Sequence, residues 1–244
     1  MRAFQIALLA LLTLLQTTAT ASEPAEVLFR NVHVFDGRAS ALTPATDVLV
    51  RGNLITAVGP SLEAAEHARV IEGEGRTLMP GLIDTHVHMT FSALTMLQLL
   101  APDLTPSLAD SIAAKGAEQM LLRGFTSVRD MGGPVWGLKA GIDNGRYTGP
   151  RIWPSGATIS QTAGHGDMRL PHERSRRFFG EVSRAEQLGA TFIADGRDDV
   201  LTATRENLRF GASQIKLMAG GGTSSAYDPV DVTQYTLDEM RAAV

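Results

Sequence analysis

From Pro80-Gly81 onward, short apolar stretches alternate with stretches whose apolar residues recur at helical spacing. That alternation restricts the fold more than any other feature of the chain. Residues 82–86, 125–130, 151–157 and 214–218 read as strands. Between and after them, Leu108–Arg123 (with Gly124 as a stop), Trp136–Asp143 (closed by Asn144-Gly145), Val200–Gly211 and a segment opening at Thr236 read as helices. A long polar loop is expected from Ser160 to about Gly180. Strands alternating with helices imply βα units and a parallel sheet. Four such strands fit either part of a (β/α)8 barrel, which needs eight strands and typically about 250 residues, or a smaller sheet.

The preceding segment has a different rhythm. Val27–Phe35 is rich in β-branched and aromatic residues and ends at the turn signal Asp36-Gly37. Asp47–Val50 and Leu54–Val58, separated by Arg51-Gly52-Asn53, read as a hairpin, and Val70–Glu72 as a further strand. Residues 22–78 are therefore expected to form a small β domain. Ahead of it, Arg2, the apolar run Ile6–Leu15 and the small residues Ala19-Thr20-Ala21 read as a secretory signal over residues 1–21, cleaved after Ala21. An apolar run of that length falls short of the roughly 20 residues that span a bilayer. The expected location is periplasmic or secreted, with membrane contact only before cleavage. The chain has no cysteine, so core packing and metal are left as its sources of stability. A net charge of -4 leaves no basic footprint for a nucleic-acid partner.

Chemistry concentrates at His86-Val87-His88, at the C-terminal end of the first strand of the alternating region. Residues two apart in a strand project to the same side, so both imidazoles can reach one cation. Barrel enzymes place their active sites at this end of their strands. An H-x-H pair alone also fits two loop histidines.

The longer stretch Leu78–His88, reading LMPGLIDTHVH, resembles the first-strand signature of the amidohydrolase superfamily, PGLIDxHxH. The likeness continues through NVHVFDG (31–37), GFTSVRDMGG (124–133), GPRIWPSGATIS (149–160), GHGD (164–167) and GASQIKLMAGGG (211–222). It is closest to dipeptidase, prolidase-like and imidazolonepropionase-like members. The resemblance implies an α/β fold: a partial (β/α)8 TIM barrel of about four βα units over residues 79–244, preceded by half of a composite β-sandwich. It also implies a hydrolase of amide or peptide-like carbon–nitrogen bonds that uses metal-activated water. Its cofactor would be a divalent metal, zinc by default, with two ions in a complete enzyme. Iron, manganese and cobalt remain alternatives. A small-molecule or dipeptide-like substrate is expected, and a homo-oligomer is compatible with it.

By the same resemblance His86 and His88 are metal ligands, and Lys216 is a metal-bridging, carboxylated lysine. Flanked by Ile215 and Leu217 in a strand buried on both faces, that lysine has little route to solvent, which lowers the pKa of an ammonium. A neutral amine can add carbon dioxide, giving a carbamate with two oxygens. The alternative is a lysine whose head snorkels past the strand end. His165 is expected either to line the substrate pocket or to be a plain loop histidine. Tyr227 either binds a substrate carboxylate or packs on its own loop. Asp130 either supports a metal-bound histidine or caps a turn. Arg174, Arg176 and Arg177 read as a solvated face. The six histidines end at His172, so the family's two later histidines and its catalytic aspartate are expected beyond residue 244. No catalytic residue is assigned within the chain. The competing expectation is a truncated chain with no activity of its own. A more remote one is a metal- or sugar-binding β module.

Overall fold

The computed structural model describes residues 25–225 and 227–244, so the expected signal at 1–21 lies outside the described residues. Two compact units divide between Pro80 and Gly81.

The first unit is built on β1 (Glu26–Val34), β2 (Thr46–Arg51), β3 (Leu54–Gly59), β4 (Arg69–Glu72) and β5 (Thr77–Leu78). The sheet order is β3-β2-β1-β4, with β5 also pairing β1. Both β1–β2 and β2–β3 are antiparallel, whereas β4 and β5 run parallel to β1. Leu28, Val32, Val48 and Leu49 are buried. Asp47, also buried, accepts the backbone N–H groups of Asn31 (2.9 Å) and Leu62 (3.1 Å), which ties β2 to two neighbouring segments.

The second unit contains β6 (Leu82–Val87), α1 (Met96–Leu99), α2 (Pro106–Leu122), β7 (Phe125–Asp130), α3 (Trp136–Asp143), β8 (Arg151–Pro154), β9 (Thr158–Ser160), α4 (Arg176–Phe179), α5 (Arg184–Gln187), β10 (Thr191–Ile193), α6 (Arg197–Arg209) and α7 (Leu237–Ala243). It is a mixed α/β unit. Strands β6-β7-β8 form a parallel sheet, and β9 pairs in parallel with β10. Helix α2 begins where Thr105 caps the N–H of Leu108 and Pro106 occupies the first turn, whose N–H groups need no intrahelical partner. Its buried residues Ala109, Ala113 and Ala117 recur every four positions. Ala113 and Ala117 pack in one core cluster with Met89, Val128, Leu138 and Ile152. A second cluster joins Ile159, Val200, Ala203 and Tyr235. Among the described residues no helix is long and apolar enough to cross a membrane.

Three details correct the sequence reading. The strand expected at 151–157 is broken into β8 and β9. Gly156 lies between them with φ +74°, which L side chains rarely adopt, and extended geometry stops there. The buried Asn207 side chain takes the place of a neighbouring strand, accepting the N–H of Ala157 (3.0 Å) and donating to its carbonyl (2.9 Å). The strand expected at 214–218 contracts to a single parallel bridge between Leu217 and Ile159. Its hydrogen bonds are Ile159 N–H to Lys216 O and Met218 N–H to Ile159 O, both 2.9 Å. Because β9 is only three residues long, it offers this segment too short an edge for a longer ladder. Finally, the polar loop contains the short helix α4, and β10 follows it with no counterpart in the sequence reading.

Candidate metal and substrate site

Parallel pairing with β7 extends β6 as far as Val87, so His86 and His88 emerge at the C-terminal end of the strand. Their ring centroids lie 5.4 Å apart with the planes at 65°. His86 is exposed and His88 half-buried. The Nδ1–H of His88 donates to Gly132 O (3.1 Å), leaving the lone pair of Nε2 free. Burial pulls the His88 pKa below the ordinary histidine value, and the charges of His86, Lys216 and His165 act in the same direction against the Gly132 bond. Lys216 is itself partly buried, and burial, followed by the charge of Arg129, lowers its pKa.

Asp130 ends β7 fully buried. It accepts the N–H of Met89 (2.7 Å) and of Gly132 (3.2 Å), bracing the segment after His88 against the turn after β7. Burial raises its carboxyl to about 7 against those two donors. Both oxygens are spent on backbone groups, which is the turn-capping alternative. Its hold on the histidine is indirect, through Gly132.

His165 is fixed from two directions. Its backbone N–H donates to Oε1 of the buried Gln234 (3.0 Å), and its Nδ1 lies 3.0 Å from Ser225 Oγ. Ser225 gives its proton to Gly222 O (2.8 Å), so it accepts from His165 Nδ1–H, and the imidazole lone pair lies on Nε2. Gly222 is needed for this packing, because a Cβ there would overlap the His165 ring. Asp228 closes the network, accepting Gly222 N–H (3.1 Å) and Gln234 Nε2–H (2.9 Å).

His88, His165 and Tyr227 line one cavity of about 490 Å³. The Tyr227 hydroxyl donates to Arg169 O (2.5 Å), which spends its proton on a neighbouring loop. As placed, Tyr227 offers only acceptor lone pairs and cannot donate to a carboxylate. Asp167 and Arg169, on the same wall, form a nearly buried two-pronged ion pair. Arg174 pairs with Glu181 and Arg177 with Asp199, all on exposed side chains. Sequence reasoning did not single out Ser225, Gln234, Gly222 or the Asp167–Arg169 pair. GHGD, which ends on Asp167, and GASQIKLMAGGG, which ends on Gly222, are the motifs that touch them.

Two imidazoles with a free nitrogen on His88 suit a divalent cation of borderline softness. Among the described residues no group of three or more His, Cys, Asp or Glu side chains is arranged to hold a metal, so a third donor would have to be of another kind. Lys216, whose charge is among those that lower the His88 pKa, is the candidate.

Residues 77–244 match the Amidohydrolase family. Ochratoxinase of Aspergillus niger is 36% identical over 177 residues, which are 68% of this chain and 36% of that protein. The crystal structure of a prolidase complexed with N-methylphosphonate-L-proline is 35% identical with a TM-score of 0.78, over 90% of this chain and 53% of that one. The crystal structure of an amidohydrolase is 37% identical with the same TM-score, over 90% of this chain and 53% of its own length. The chain thus spans about a third of ochratoxinase and about half of these solved structures. With the family pattern matched over most of its length, the chain belongs to the amidohydrolase family.

Proposed function

We propose that this chain supplies the first metal-binding face of a hydrolase that cleaves carbon–nitrogen bonds in a small amide or peptide-like substrate. In this reading His86, His88 and a carboxylated Lys216 hold a divalent metal, zinc by default, or a pair of them. The second unit is the opening part of a (β/α)8 barrel, the first unit contributes half of a β-sandwich, and residues 1–21 direct export. The observation that supports the reading is the pairing of His86 and His88 at the C-terminal end of β6, ring centroids 5.4 Å apart, with His88 and His165 lining one cavity. Ochratoxinase and a prolidase among the similar proteins favour an amide or peptide-like substrate.

A metal bound here would supply Lewis acidity and lower the pKa of a coordinated water. The chain's own residues do the rest. Gly132 engages Nδ1 of the His88 ring, which leaves the Nε2 lone pair for a cation. Asp130 keeps the His88 segment and the β7 turn together. His165, held by Gln234 and Ser225, presents Nε2 to the cavity as a hydrogen-bond or proton acceptor for bound substrate.

The test is zinc loading followed by assay on amides and Xaa-Pro dipeptides. The expected result is retained zinc that is lost in His86→Ala and His88→Ala, with chelator-sensitive amine release only from a protein that also carries the catalytic aspartate and the two later histidines. Equal zinc retention by the wild type and both variants would overturn the reading.

A further inference from the structure

The proposed chemistry does not account for the walls of the cavity. Phe91, Leu94, Met168 and Met218 line it alongside His88 and His165. A second cavity of about 600 Å³ shares Met96, Leu100 and Leu170 with the first and ends at His172, Glu173 and Arg184. An apolar trough thus leads from the two histidines, past three shared side chains, to a charged rim. A small polar amide would leave most of it filled by water against hydrocarbon, and filling such surface with an apolar group is favourable.

We propose that this trough is a specificity subsite for a large apolar or aromatic group attached next to the scissile bond. It selects bulky hydrophobic amides over small polar ones. The inference rests on the hydrolytic reading for the identity of the bond cut, but not for the binding itself. Met96 and Leu170 are the selecting residues, because both cavities use them and both stay partly exposed, at 51% and 38%.

The experiment measures binding to chelator-treated protein, so that no turnover is needed. The probes are N-acetyl amides of glycine, alanine, leucine and phenylalanine, titrated by calorimetry. Affinity is expected to rise about fourfold for each buried methylene. Met96→Glu and Leu170→Glu should lower the affinity of the phenylalanine amide at least about tenfold. Leu122→Glu, exposed and outside both cavities, serves as control and should bind as the wild type does. Circular dichroism checks that all three fold. A flat ladder, or a ladder untouched by both glutamates, overturns the inference. Chelator-sensitive hydrolysis that favours the glycine amide would also overturn it while leaving the hydrolytic reading intact. A steep, glutamate-sensitive ladder in a protein whose zinc retention is unchanged by His86→Ala and His88→Ala would sustain it and remove the hydrolytic reading.

Discussion

Asn207→Ala should destabilise the second unit, and the structure sets the size. Asn207 is 1% exposed, and its amide satisfies both the N–H and the C=O of buried Ala157, at the break between β8 and β9. Removing it orphans two buried backbone groups, at about 1–3 kcal/mol each. A loss of about 4 kcal/mol at a slope of about 2 kcal/mol per molar urea lowers the midpoint by about 2 M. Tryptophan fluorescence isolates the effect, because both tryptophans, Trp136 and Trp153, lie in the second unit. Thr204→Val provides the contrast on the same helix, α6. Thr204 is buried with an Oγ1 that lacks a partner, so a near-isosteric apolar replacement should be neutral or stabilising. Equal midpoints for Asn207→Ala and wild type, or equal losses in the two variants, would refute the reasoning.

Three further outcomes are expected. Gly222→Ala should push the His165 ring off Ser225 at a cost of about 1–3 kcal/mol; an unchanged His165 imidazole signal by NMR would contradict that. Asp130 is raised to about 7 in the fold, so between about pH 4 and 7 the folded state holds a proton that the unfolded state has lost. Stability should therefore rise as pH falls through that window, by up to about 1.4 kcal/mol per pH unit, and level off above it. Asp130→Asn should lack that slope, and identical pH profiles for the two proteins would count against it. Arg169→Met strands the buried Asp167 carboxylate and should cost about 3–5 kcal/mol, much of it restored by adding Asp167→Leu; melting curves that show no such recovery would reject the pairing.

The elements that sequence exposes best are those whose neighbours in the chain decide them. Strands β1 to β4 of the first unit and β6, β7, α2 and α6 follow from local periodicity and turn residues, whereas the two-residue β5 has no counterpart in the sequence reading. His86 and His88 were legible because strand alternation alone places them on one side. The rest depends on distant partners. The break at Gly156 is completed by Asn207, 50 positions later. His165 is held by Gln234, 69 positions away. The segment around Lys216 looks like a strand, but pairing decides strand length, and β9 gives it one bridge. Sequence leaves Tyr227 available for a carboxylate, but its proton is committed to Arg169 O, 58 positions away.

The central claim is that His86, His88 and Lys216 share a metal. Anomalous diffraction at the zinc edge, from crystals grown with zinc and bicarbonate, tests it most directly. The account predicts a peak about 2.0–2.1 Å from Nε2 of both histidines, with carbamate density continuous from Lys216 Nζ to the same ion. A peak bound elsewhere, with these three side chains ordered and uncoordinated, would contradict it.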